Sequence, residues 1–136
     1  HETLDDSQTV LANMMAAASQ LSETEARTLL GSFLFIGDDV DKKAAVLSGG
    51  EKTRLALARL VMSRANVLLL DEPTNNLDPL SRVEILGAIN RYKGAIVLVT
   101  HDEGAVEALN PDRVLLLPDG TEDLWNPEYI ELVALA

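Results

Sequence analysis

Three short stretches hold residue types that could work on a phosphate or a metal ion: Ser48-Gly49-Gly50-Glu51, Asp71-Glu72 and Thr100-His101. Ser48 and Glu51 have the S-x-x-E spacing of a capping box, so they open a helix. A helix start presents unpaired N–H groups and a partial positive charge, which can receive phosphate. Gly49 and Gly50 let a ligand come close to that backbone. A capped helix without a ligand would need the same Ser and Glu. The two glycines shift the balance, because they weaken the helix and add nothing to the cap. Asp71 and Glu72 end the apolar run Val67-Leu68-Leu69-Leu70, and Thr100-His101 ends the run Ala95-Ile96-Val97-Leu98-Val99. Two carboxylates and an imidazole at the ends of two such runs suit a phosphate or metal site.

The elements that must position these groups follow from the pattern along the chain. Runs apolar at every position and joined by helices indicate strands buried on both faces of a parallel sheet. Ligands of such sheets bind beyond the carboxyl ends of the strands, which puts Asp71, Glu72 and His101 on one edge. Ser48 opens a helix to about Arg64. Pro79 begins another to about Tyr92, with Asp78 before it as the natural N-cap. Asp102 can cap a short helix to about Leu109. Arg113 to Leu117 and Thr121 to Leu124 flank Pro118-Asp119-Gly120 and read as a hairpin. Pro127 can start a last helix ending near Leu135, against which Trp125, the one tryptophan, packs. Upstream, from about Ser7 to Ala45, the chain reads as helical. Ser7 could cap a helix through Val10, Leu11, Met14, Met15 and Ala18. Ser22 and Glu25 form a further capping box ahead of the stripe Ala26, Leu29, Leu30 and Phe33. Gly37-Asp38-Asp39 then breaks the run.

Bulk properties narrow the class. The 136 residues suit one compact domain or a large piece of one, and 47% hydrophobic residues are enough for a core. No apolar run approaches the ~20 residues that span a bilayer. The acidic start at His1-Glu2-Thr3-Leu4-Asp5-Asp6 is unlike the basic start of a secretory leader. The lack of cysteine excludes disulfides and thiolate metal sites. These features fit a cytoplasmic protein. A net charge of −11 excludes a basic nucleic-acid footprint over the segment as a whole. The basic residues Lys42-Lys43, Lys52, Arg54 and Arg59 read as solvated helix faces.

Three motifs in order carry a resemblance to a known family. Leu47 to Leu60, LSGGEKTRLALARL, resembles the signature motif and helix of ABC ATPases. Val67 to Asp78, VLLLDEPTNNLD, resembles their Walker B strand and D-loop. Val97 to Asp102, VLVTHD, resembles their switch-histidine segment. The resemblance covers nearly the whole chain. It implies an α/β fold of the P-loop NTPase type: a helical subdomain over residues 1–46, then the C-terminal part of the ATP-binding core over 47–136. No G-x-x-x-x-G-K-[ST] occurs, so the phosphate-cradling lobe is missing from this segment. In the family that loop and a glutamine-bearing loop come first, and the chain reads as starting just after the glutamine. The first residue, His1, implies that they are encoded upstream.

Thr74-Asn75-Asn76-Leu77-Asp78 and Glu51-Lys52-Thr53-Arg54 are similar to the ABC-F group, although its commonest form has His where Asn76 stands. That group carries two ATPase domains on one chain, the present segment resembling the second, and has no membrane domain. Many members act on the ribosome near the exit tRNA, in translation control or antibiotic protection. The resemblance implies ATP and Mg²⁺ as ligands. Asp71 would orient the metal, Glu72 would position the attacking water, and His101 would contact the γ-phosphate. Ser48, Gly49, Gly50 and Glu51 would close over nucleotide held by the second domain, and Asp78 would stand at that interface while still serving as an N-cap. The isolated chain is expected to be inactive. Two other readings stay open: the ATPase subunit of a membrane transporter, and a non-enzymatic module that binds a second ATPase half.

Overall fold

The computed structural model describes residues 4–63, 65–75 and 77–133. His1, the helix end at Arg64, the Asn76 position and the last helix's end near Leu135 lie outside them.

The first part of the chain is helical. Helix α1 runs Val10–Ala17 and α2 runs Glu23–Ser32. Ser22 and Glu25 form the expected reciprocal cap. The cap of α1 is Thr9, not Ser7: the Thr9 hydroxyl accepts from the Ala12 N–H at 3.1 Å. Ser7 is drawn into a turn, donating both its N–H and its hydroxyl to Asp5 Oδ1 at 2.9 and 2.6 Å. A carboxylate two residues upstream therefore outcompetes the helix for Ser7. Gly37–Asp41 and Ala44–Val46 form short 3₁₀ turns, Gly37 with φ 58°.

Helix α3 then runs Gly49–Met62 and is followed by strand β1, Val67–Asp71. Helix α4, Pro79–Asn90, starts with proline in its first turn and Asp78 as the cap. Strand β2, Ala95–Val99, lies parallel to β1 with Val67 opposite Ala95 and Asp71 opposite Val99. Helix α5 spans Glu103–Leu109 and stops at Asn110, whose left-handed backbone ends the helix. The hairpin is present as β3, Arg113–Leu116, and β4, Thr121–Leu124, and it forms a sheet separate from β1 and β2. A 3₁₀ turn at Pro127–Tyr129 leads into α6, Ile130–Val133, and Trp125 stands 6.2 Å from the Tyr129 ring.

One apolar cluster joins these pieces. It includes Val10 and Met14 of α1, Leu30 of α2, Leu55 of α3, Leu68 and Leu70 of β1, and Ile85 and Ile89 of α4. The sheet departs from expectation. Leu68 and Leu70 are buried, but Val67, Leu69, Val97 and Val99 are 50, 75, 51 and 59% exposed. Alternate residues point to opposite faces, so one face of the β1–β2 sheet rests on the core and the other is open, an apolar surface with no described element over it. Arg59, expected on a solvated face, is instead buried at 9%, because its stretch of α3 faces the core beside Leu57 and Ala58. Lys42 and Lys52 do stay near solvent, paired with Asp39 and Asp6 at 2.7 and 2.9 Å.

Candidate functional site

At the start of α3 the capping box is complete. Glu51 accepts the Ser48 N–H at 2.8 Å, and Ser48 Oγ accepts the Glu51 N–H at 3.2 Å. The Ser48 N–H holds the Glu51 carboxyl below the usual range, and the Ser48 hydroxyl and the charges of Arg54 and Lys42 act the same way against partial burial. Arg54 also lies over the Phe35 ring, 5.3 Å from its centre, which fixes that cation beside Glu51. Ser48 and Gly49 are exposed. An added Cβ at Gly49 would meet open space, so the helix end is sterically free to receive a group from outside.

The second cluster forms at the carboxyl edge of β1 and β2. Glu72 follows β1 and has φ 46°, a left-handed conformation costly for a residue with a side chain. Its N–H is held by the Val99 carbonyl at 2.8 Å. This turn aims its carboxylate across the edge. Oε1 accepts the His101 N–H at 2.9 Å and lies 2.7 Å from His101 Nδ1, while Oε2 accepts the Thr100 hydroxyl at 3.2 Å. The His101 side chain is 60% exposed and that of Glu72 is 23% exposed. The edge thus offers an anchored carboxylate and an open imidazole side by side, a pair able to hold a water and contact an anion.

Asp71 ends β1 on the exposed, open-faced side of the strand. Asp78 caps α4: its carboxylate accepts the Ser81 N–H at 3.0 Å and the Ser81 hydroxyl at 2.5 Å, and these two bonds lower its pKa. Among the described residues, no hydrogen bond or ion pair joins Ser48–Glu51, Asp71 or Asp78 to the Glu72–His101 pair. Two participants escape sequence reasoning, Thr74 and Arg82. Thr74 is buried and donates its hydroxyl to Asp102 at 3.0 Å. Arg82 pairs with Asp102, whereas spacing alone would pair it with Asp78 one turn earlier. Asp78 is occupied by Ser81, and that competition has no signature in the sequence.

Comparison with known proteins gives the family. The family model described as ABC transporter matches residues 1–75 of the 136. The chain is 50% identical over 126 residues to the ATP-binding protein YdiF of Bacillus subtilis, covering 93% of this chain and 20% of that protein. It is 37% identical over 128 residues to ABC transporter F family member 5 of Arabidopsis thaliana, covering 94% and 18%. It is 39% identical over 115 residues to the ATP-binding protein YheS of Escherichia coli, covering 85% and 18%. The chain therefore spans about a fifth of the length of these curated relatives. Among solved structures it resembles the ATP-binding cassette MJ0796, in a dimeric post-hydrolysis state bound to ADP and Pi, with a TM-score of 0.73 and 25% identity, covering 90% of this chain and 59% of that one. A Pyrococcus furiosus ABC transporter ATP-binding protein shares the fold, with a TM-score of 0.61 and 24% identity over 73% of this chain and 52% of that one. The chain belongs to the ABC transporter family, as part of its ATP-binding domain, with ABC-F proteins among its relatives.

Proposed function

We propose that the chain is part of an ATP-hydrolysing domain of an ABC-F protein, paired with a second such domain on the same polypeptide. The observation that carries this reading is the meeting of Glu72 and His101 at the carboxyl edge of β1 and β2. Residues 1–46 form the helical subdomain and 47–136 the core part.

Glu72 holds and polarises the attacking water, and His101 contacts the γ-phosphate. Phosphoryl transfer rests on such positioning and charge placement. Asp71 offers one carboxylate at an exposed strand end, which fits Mg²⁺, a cation that takes one or two carboxylates and keeps several waters. When bound, that ion neutralises charge on the phosphates. Ser48, Gly49, Gly50 and Glu51 close over nucleotide held by the second domain, and the open space at Gly49 supports this. Asp78 serves the interface as well as its cap. The working partner is the ribosome, through rRNA or tRNA, in translation control or antibiotic protection, and the site of action is the cytoplasm. Among the described residues no helix is long and apolar enough to cross a membrane. The sequence given holds no phosphate-cradling loop, so the chain alone is expected to bind nucleotide weakly and not to turn it over.

The test uses the full-length protein. Glu72→Gln should lower ATP turnover by ~10²–10⁴-fold, the range for loss of a positioned acid–base group. With the matching change in the other domain, the protein should sediment with ribosomes only when ATP is present. Unchanged turnover would reject the role of Glu72. A closed, ATP-bound protein that ignores ribosomes would leave a transporter subunit as the better reading.

A further inference from the structure

We propose that Arg82 and Asp102 are positioning residues for the hydrolytic edge, tying helix α4 to the Glu72–His101 pair through the Thr100 hydroxyl, with the Thr74 hydroxyl bracing Asp102. This rests on the ATPase reading above.

Asp102 would be explained as a plain helix cap if its carboxylate met only the Ala105 N–H, which it accepts at 3.2 Å. It does more. The same Oδ1 receives the Arg82 guanidinium, and Oδ2 receives the Thr74 hydroxyl at 3.0 Å. Its side chain is 14% exposed, so these partners stand largely in place of water. One residue thereby joins the turn after β1, the first turns of α4, and the start of α5. The backbone carries the connection onward. The Asp102 N–H donates to Thr100 Oγ1 at 3.1 Å, and the Thr100 hydroxyl donates to Glu72 Oε2 at 3.2 Å.

A hydroxyl has one proton to give. Thr100 spends its proton on Glu72 and uses a lone pair for the Asp102 N–H, so its rotor is fixed from both sides. Thr74 spends its proton on Asp102. The Thr100 hydroxyl cannot turn away from Glu72 without also disturbing its bond from the Asp102 N–H. The segment bearing His101 is thus held between two anchors: Glu72 at one end and the Arg82–Asp102 pair at the other.

Gly104 makes the pair possible. A Cβ there would stand 2.8 Å from an Arg82 terminal nitrogen and 3.7 Å from its guanidinium carbon. Between these two in distance lies Oδ1 of Asp102, at 3.4 Å, an ordinary van der Waals approach. Gly104→Ala therefore displaces the tip of a flexible side chain while improving the intrinsic helix preference of α5. It separates positioning from stability, which Arg82→Ala alone would not do.

The experiment measures ATP hydrolysis by the full-length protein and its Arg82→Ala, Arg82→Lys, Gly104→Ala and Asp102→Asn variants. Asn retains the cap but loses the charge. Arg82→Ala and Gly104→Ala should each lower kcat ~10-fold, with KM for ATP within about twofold, the pattern of a misplaced reacting group. Arg82→Lys should recover part of the loss. Gly104→Ala should melt no lower than wild type. Arg82→Ala and Asp102→Asn combined should cost less than the sum of their separate effects, because both break one link. Unchanged kcat in both Arg82→Ala and Gly104→Ala would overturn the proposal, as would a fall in kcat matched in every variant by a fall in melting temperature. An inactive wild-type protein would sink the ATPase reading, and this proposal with it.

Discussion

Glu51 shows how a single side chain links local structure to pH. Its carboxyl lies below its ordinary value of 4.5, chiefly because the Ser48 N–H donates to it. A carboxyl with a lowered folded pKa stabilises the fold fully above its unfolded pKa and loses that contribution as pH falls through the folded value. Wild type should therefore lose melting temperature below about pH 4.5, and Glu51→Gln should lose less over the same range, since Gln can keep the box without titrating. Thermal melts by circular dichroism across acid pH would check this, and parallel curves would reject it. The Ser48–Glu51 capping box and the placement of Glu72 and His101 on one sheet edge were legible because type and spacing are local properties. Ser7 was misread because Asp5 competes for it, and Arg82 was invisible because its partner lies 20 residues away.

At the level of elements, the junction before β2 depends on the lack of a side chain at Gly94. A Cβ there would sit 2.5 Å from the Asn66 carbonyl oxygen and 2.5 Å from the Tyr92 hydroxyl. That carbonyl is already committed to the Ala95 N–H at 2.9 Å, and Tyr92 bonds the Ala65 carbonyl, so neither can step aside cheaply. Gly94→Ala should destabilise the chain by ~1–3 kcal/mol, the cost of forced overpacking. A lower urea midpoint at unchanged slope would be the readout, and an unmoved midpoint would contradict it. The bounds of β1, β2, α4 and α5 followed closely from the apolar runs, Pro79 and the Asp caps. The close approach at Gly94 needs the pairing of β1 with β2, which no single stretch encodes.

For the molecule as a whole, the open sheet face with Val67, Leu69, Val97 and Val99 bears on behaviour in solution. The strand pattern predicts burial on both sides, and the described residues cover only one, because periodicity reports what a strand can bury and not what is present to bury it. Contiguous apolar surface drives association. The isolated chain should therefore self-associate, and Leu69→Asn with Val97→Thr should reduce it. Sedimentation velocity over a range of concentrations would decide. A concentration-independent monomer in wild type would refute the expectation.

The apolar cluster shared by α1, α2, α3, β1 and α4 has a mechanical corollary. Close packing resists internal deformation, so such a core would tend to move as a unit. On the proposed function, the Ser48 end of α3 and the Glu72 end of β1 would be two jaws cut from one block. In a pair of such domains, each block would lend one jaw to each nucleotide, so a rotation that releases one nucleotide would loosen the grip on the other. The two sites would then fire as a coupled pair, with stiffness and not a signalling contact as the messenger.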